Sequence, residues 1–467
     1  MLELVQLVNG KLWGWPLIIL LLGTGVYFTF ITGFIQVRKM GLAFKETFGF
    51  LFEKEKKEKK AGEVSSFQSL ATAIAAQVGT GNLAGVATAI MAGGPGAIFW
   101  MWVSGFFGMG TIFAEAVVSQ KFVQYQEGEK VGGPAYYIRY GLKNQTVAKL
   151  LAGFFAIAII LALGLMGNVV QANSIADAAK IAFNMPQILT GALVAVLVML
   201  IVAGGVNRIA SVAEKIVPFM ALFYIIGSLI IIISNAGQIF PSLALIFKSA
   251  FNPESLLGGV LGVTIKEAVQ KGLARGLFSN EAGMGSTPHA HALANVKHPG
   301  QQGMVATLGV LIDTGIICTM TALVILTTGA FGATNEAGEF YKGAALTQHA
   351  FTLGFGHWGT KFIAICLFFF AFSTILGWYF FGETNVKYLF GKIGVWPFRI
   401  MVALVIVVGS GFKVDLVWEL ADTFNALMVA PNLIALLALS GLVVKIKKDF
   451  EQNFLQGKPS EYLNKEQ

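Results

Sequence analysis

Between about Phe67 and Ala92 the chain carries an apolar run long enough to cross a bilayer, yet no continuous helix suits its centre. There, Ala75-Ala76-Gln77-Val78-Gly79-Thr80-Gly81-Asn82 sets two glycines around a threonine, with an asparagine following. Each glycine costs a helix roughly 1 kcal/mol relative to alanine, so Gly79 and Gly81 mark a break. Non-helical backbone at membrane depth persists only where it is buried in protein or lines a cavity. The half-helix after such a break offers free N–H groups and the positive end of its dipole, which suit a carboxylate. The half before it offers free carbonyls, which suit a cation. One segment can therefore hold a small anionic group and a metal cation side by side.

The rest of the sequence sets that segment in a membrane. With 55% hydrophobic and 12% charged residues and a mean hydropathy of +0.71, an ordinary soluble protein is excluded. Several runs reach the ~20 residues a spanning helix needs, and the short alternating segments of a barrel are missing. The fold class expected is an all-α polytopic membrane protein, with the lipid bilayer as its partner. The 55 glycines fit close helix–helix contact in lipid. A net charge of +8 does not call for nucleic acid, because the basic residues gather in particular loops. Cys318 and Cys366 both fall in apolar runs, which argues against a disulfide framework. Met1 to Trp15 shows neither a basic n-region nor a small-residue cleavage site, so no removable signal peptide is expected.

About eleven spans are expected, at roughly 15–36, 67–91, 96–119, 147–176, 186–204, 214–234, 262–294, 302–328, 359–383, 396–412 and 415–441. Placing the charged loop Lys54 to Lys60 inside makes alternate loops cytoplasmic. Those loops hold Lys121, Lys130, Arg139 and Lys143, then Arg208 and Lys215, then Lys297, then Lys387, Lys392 and Arg399, and the tail carries Lys445, Lys447 and Lys448. This asymmetry puts the N-terminus outside and the C-terminus in the cytoplasm of a cell-membrane protein. The span 262–294 is itself interrupted at Gly276-Leu277-Phe278-Ser279-Asn280-Glu281-Ala282-Gly283-Met284-Gly285. Leaving out the first span, each break opens a set of five. Five is odd, so the second set is inserted upside down relative to the first, and paired interrupted helices point to a transport site at the midplane. The organisation expected is an extra helix and charged loop (1–62), a first repeat (63–235), an outer interfacial segment (236–261), a second repeat (262–441) and a cytoplasmic tail (442–467).

Gly93-Gly94-Pro95-Gly96-Ala97-Ile98-Phe99-Trp100-Met101-Trp102 and the run Arg275 to Gly285 resemble signatures of the alanine/glycine:cation symporter family. The resemblance extends through nearly all core spans. It implies the five-plus-five inverted repeat of the bacterial leucine transporter with one additional N-terminal helix. Val78 to Asn82 is similar to that transporter's Val-Gly-x-Gly-Asn motif, which implies that the backbone N–H groups of Thr80 and Gly81 bind the substrate carboxylate, with Gly79 also in the substrate site. It further implies a sodium site on the Ala75 and Val78 carbonyls, with Asn82 near any second cation. Ser373-Thr374 resembles the hydroxyl pair that completes the sodium site, with the Phe370 carbonyl one turn earlier. Back-bonding of these hydroxyls along their own helix is the bland alternative.

Other polar residues at membrane depth need partners whatever their role. Gln77 and Gln171 are read as side-chain contacts to the substrate, and Asn168 and Ser279 are grouped with them. Phe278 and Trp378 are read as aromatic walls that shrink the pocket. Asp313, deep in an apolar span, is read as an ion-coupling carboxylate and the place where proton coupling would enter. Glu115, Asp177, Glu281 and Asp422 are read as structurally paired. His289 and His291 lie two apart and face different sides of a helix, so no zinc site is expected. No phosphate-binding loop, nucleophile elbow or zinc-protease motif is present, and an enzyme is not expected. The reading is a sodium-coupled symporter for alanine or glycine, with proton coupling as the alternative and a channel as the more distant one.

Overall fold

The computed structural model describes residues 2–49, 64–126, 128–252, 264–412 and 414–464; the charged run 54–60 lies outside them. The chain opens with α1 (Leu2–Leu12), α2 (Trp15–Ile31) and the short α3 (Ile35–Arg38) and α4 (Met40–Phe48). The interrupted span follows as α5 (Ser66–Gln77), a wide π turn over Gly81–Gly85, and α6 (Val86–Gly93). Then come α7 (Gly96–Lys121), α8 (Pro134–Gly141), α9 (Gln145–Ile159), α10 (Asn168–Phe183), α11 (Gln187–Val202), α12 (Gly205–Ser234) and α13 (Ile239–Phe251). The second half holds α14 (Ile265–Asn280), α15 (Pro288–Leu293), α16 (Pro299–Val310), α17 (Thr319–Thr327), α18 (Gly343–Phe355), α19 (Trp358–Phe390), α20 (Val395–Gly409), α21 (Val414–Ala438) and α22 (Ser440–Gln452).

Among the described residues each expected span falls on helix, in several cases on two helices joined by a break or a π segment, as with 147–176 on α9 and α10 and 302–328 on α16 and α17. Six helical stretches among the described residues are long and apolar enough to cross a membrane, and bent pairs at α1–α2 and at α5 with Gly81–Gly93 bring the number to eight. The others escape that test for physical reasons. α11 has only 16 residues, the stretch 265–293 is polar at its centre, and α19 with α20 counts as one stretch. Two features stand outside the expected pattern. Gln124–Gln126 and Glu129–Val131 pair antiparallel in the loop after α7, and α18 is a helix too short to span.

Local chemistry starts the two interrupted spans. Ser65 accepts from Gln68 N–H while the Gln68 side chain returns to Ser65 N–H, and Thr264 and Glu267 form the same reciprocal cap on α14. Lipid-facing apolar rows are exposed on the outer helices, as with Phe219, Leu222, Ile226, Ile230 and Ile233 on α12. Inside, α5, α7, α10, α14, α16 and α19 bury their polar side chains against one another. Glycines permit this approach: a Cβ on Gly377 would lie 3.0 Å from that of Ala76.

Candidate transport site

At the first break the backbone releases two carbonyls. Gly79 N–H turns to Asn82 Oδ1 at 2.8 Å instead of back along α5, and Asn82 N–H goes to Gly79 O at 3.3 Å. The Ala75 and Val78 oxygens are left for other partners, and α19 supplies them. Thr374 Oγ1 lies 2.9 Å from Ala75 O, 3.4 Å from Val78 O and 3.0 Å from Phe370 O. Ser373 Oγ lies 2.9 Å from Phe370 O and 3.4 Å from Ala75 O. Both hydroxyls therefore back-bond along α19 and reach across to α5. A hydroxyl has one proton to donate, so two protons face three carbonyl oxygens. The cluster is rich in acceptors and holds no formal charge, which suits a weakly held monovalent cation.

On the other side of the break, Thr80 N–H points at Gln171 Oε1, 3.2 Å away on α10. A partial negative charge thus stands where a carboxylate would be received. Gln77 Nε2 donates to Asn280 O at 2.6 Å, tying the first break to the end of α14. Its Oε1 is buried without a protein partner, as are Thr80 Oγ1 and Asn168 Oδ1. Asn168 is not bonded into this group, because its Nδ2 is spent on Gly164 O of its own helix at 2.9 Å.

Asp313 joins the first break to the second. Its Oδ1 accepts from Asn82 Nδ2 at 2.5 Å and Ser279 Oγ at 2.9 Å, and its Oδ2 from Thr314 Oγ1 at 2.7 Å. The residue is fully buried, and its bonded donors are neutral side chains. Phe278 lies against Gly81, where a Cβ would stand 3.3 Å from its ring. Trp378 meets Phe278 edge-on, with centroids 6.2 Å apart. Trp418 packs against Phe278, Arg275 lies over the Trp418 ring, and Arg275 forms a two-pronged ion pair with Asp422 at 2.7 and 3.1 Å.

Sequence reasoning left the supports of this site unassigned. Three π-helical segments, Gly81–Gly85, Ile160–Gly167 and Leu311–Cys318, each hold or adjoin a polar site residue: Asn82, Asn168 and Asp313. Such bulges recur at functional positions, and the glycines at 81, 85, 164, 167 and 315 were their only trace in the sequence. Glu115 on α7 accepts from Gly283 N, Gly285 N and Asn432 Nδ2 at 3.2, 3.1 and 2.7 Å, so it holds the second break open. Thr347 of α18 donates to Leu83 O at 3.0 Å, just beyond the first break. His289 and His291 are buried apart from any metal-like cluster among the described residues: His289 bonds Ser286 O and Asn385, and His291 bonds Gln302.

Residues 1–464 match the sequence profile of the sodium:alanine symporter family. The chain belongs to that family. It is 43% identical over 453 residues to the sodium/alanine symporter AgcS of Methanococcus maripaludis, covering 96% of this chain and 97% of that one. It is 41% identical to the amino-acid carrier protein AlsT of Bacillus subtilis, covering 97% and 93%. Among solved structures it shares the fold of MhsT, determined in complex with L-phenylalanine, at a TM-score of 0.52 and 12% identity over 83% of this chain and 99% of that one. The fold is thus the leucine-transporter type. As a member of the sodium:alanine symporter family the chain is a multi-pass amino acid transporter and not an enzyme.

Proposed function

We propose that this protein couples inward sodium flow to uptake of a small neutral amino acid, alanine or glycine, by alternating access around the two breaks. The carrying observation is the set of five oxygens from Ala75, Val78, Phe370, Ser373 and Thr374, which joins the first break to α19 with more acceptors than protons. A sodium ion there would take the carbonyls while the hydroxyls turn their lone pairs inward. The substrate carboxylate would replace Gln171 Oε1 at Thr80 N–H, with Gly79 and Gly81 giving it room. Gln77 and Gln171 would then be free to meet its polar end, with Ser279 alongside and Asn168 lining the α10 side. Phe278 and Trp378 would wall the side chain.

Asp313, held with Asn82 and Ser279, supports a second coupling position there. A tenfold sodium gradient and 100 mV supply about 1.4 plus 2.3 kcal/mol per ion, enough for several-hundred-fold accumulation. The loop charges support an outside N-terminus and a cytoplasmic C-terminus. The test is uptake of labelled alanine and glycine into proteoliposomes, with sodium and proton gradients imposed separately. Sodium-driven accumulation is the expected result. Uptake driven by protons alone would transfer the coupling role to Asp313, and passive equilibration under both gradients would indicate a channel.

A further inference from the structure

Glutamate is an unusual residue to find at position 281. It follows the last turn of α14 with φ 58° and ψ 8°, the left-handed conformation that glycine adopts at least cost after a helix. It is also wholly buried, and no lysine or arginine pairs with it among the described residues. Two neutral donors take its carboxylate, Trp378 Nε1 at 2.5 Å on Oε1 and Ser286 Oγ at 2.5 Å on Oε2. The indole is confined on its other sides as well. Phe278 meets it edge-on at 87°, and a Cβ on Gly167 would stand 2.5 Å from its Cε3 atom.

We propose that Glu281 is the positioning residue that sets substrate size, by pinning the Trp378 indole at the pocket wall. The inference rests on the reading above that Trp378 walls the side-chain pocket. A tryptophan on α19 could turn about its χ angles to admit a larger side chain; the bond from its N–H to a residue on the second break removes that freedom. The pocket then stays small because the bond holds the ring in place, beyond the room the ring itself fills. Since the carboxylate acts by its reach, its length matters and its charge does not.

The experiment measures competition by leucine against labelled alanine uptake in proteoliposomes of the full chain. Glu281→Asp keeps the charge and shortens the side chain by one methylene, so it cannot span Trp378 and Ser286 together. Leucine competition is expected to strengthen about tenfold. Glu281→Gln keeps the length, can accept from the indole and donate to Ser286 Oγ, and is expected to go on excluding leucine. The double variant Glu281→Asp/Trp378→Ala should match Trp378→Ala alone, because the carboxylate has no ring left to hold. Relaxed selectivity in Glu281→Gln but not in Glu281→Asp would overturn the inference in favour of a role for charge. Equal loss of alanine uptake in both, with leucine still excluded, would reduce Glu281 to a structural part. If Trp378→Ala admits leucine and Glu281→Asp does not, only the pinning role fails; if Trp378→Ala excludes leucine, the pocket reading fails with it. Should Glu281→Asp not fold, Ser286→Ala frees one carboxylate oxygen and is expected to shift competition in the same direction by a smaller factor; an unchanged ratio there overturns the pinning role.

Discussion

A single hydroxyl shows how the break gathers unsatisfied acceptors. Thr374 Oγ1 has three carbonyl oxygens within 3.4 Å and one proton to give. Two of those carbonyls belong to residues of the first break whose own N–H partners have turned away. If the proposed sodium site is right, Thr374→Ala removes one of its oxygens without adding bulk. The sodium concentration for half-maximal uptake is expected to rise about tenfold, on the order of the 1.5 kcal/mol of one charge-assisted contact. A sodium titration of initial rates checks this, and an unchanged midpoint in Ser373→Ala/Thr374→Ala sinks the assignment. Asp313 separates two coupling schemes. Asp313→Asn keeps acceptor geometry on one oxygen and removes the charge, so sodium-driven uptake should fall sharply. Proton-driven uptake without sodium is expected to be absent in the parent protein as well, and fluorescence of a trapped pH dye reads it directly.

At the scale of an element, the breaks are held open by specific partners. Gly79 has no room for a methyl group: a Cβ would stand 2.4 Å from Thr374 Oγ1 and 3.1 Å from Gln171 Oε1. Gly79→Ala therefore intrudes at once on Thr374 and on Gln171, the proposed cation side and the proposed carboxylate side. Overpacking of this kind costs roughly 1–3 kcal/mol, and uptake is expected to drop at least about tenfold in protein that still purifies monodisperse. The second break depends on Glu115, which receives two of its N–H groups, those of Gly283 and Gly285. Glu115→Ala leaves both buried and unpartnered, a loss of about 1–3 kcal/mol for each. A lowered melting temperature in detergent is expected, with Glu115→Gln recovering part of it because an amide oxygen still accepts. Equal melting of the two variants would show that the carboxylate does not brace the break.

Across the whole molecule, the tail folds back onto the end of α7 and the start of α16. Asp449 on α22 accepts from His298 Nε2 at 3.1 Å, from Asn453 Nδ2 at 2.7 Å and from Ser460 Oγ. Asn464 bonds Gln120 at the end of α7 and Val296 O before α16. His298 caps α16 by accepting from Gly300 N–H at Nδ1, and it stacks on Phe450 and Phe454. Burial pushes the His298 pKa below its ordinary 6.5. Burial alone would raise the Asp449 carboxyl, but the Ser460, Asn453, His298 and Glu461 N–H donors outweigh it and hold it at about 2, below the usual 3.8. The two shifts act in the same direction. A released tail takes up protons more readily than a docked one below pH 6.5 at His298, and again between 3.8 and about 2 at Asp449, so docking weakens as pH falls. Hydrogen exchange of residues 440–464 is expected to quicken as pH drops below about 6.5, after correction for the intrinsic rate. His298→Ala should lower protection throughout and flatten that first step.

The sequence alone determined what local chemistry can decide. Apolar runs in lipid must satisfy their backbone internally, so they are helices. Paired glycines at Gly79 and Gly81, and the glycines and polar residues from Gly276 to Gly285, are poor helix formers, so breaks fall there. Odd-numbered sets of spans invert, which gives the five-plus-five architecture. The tertiary structure decided which polar groups meet. Ala75 O and Thr374 Oγ1 are 299 positions apart, and Arg275 meets Asp422, Glu115 meets Gly283, and Trp378 meets Glu281 across comparable or large separations. α18 was invisible to any spanning criterion because it is short, and the π segments because a widened turn leaves helical composition unchanged. A buried donor or acceptor announces in the sequence that it needs a partner. The partner is chosen by the packing of helices, and helix packing among similar apolar faces is a property of the assembled fold.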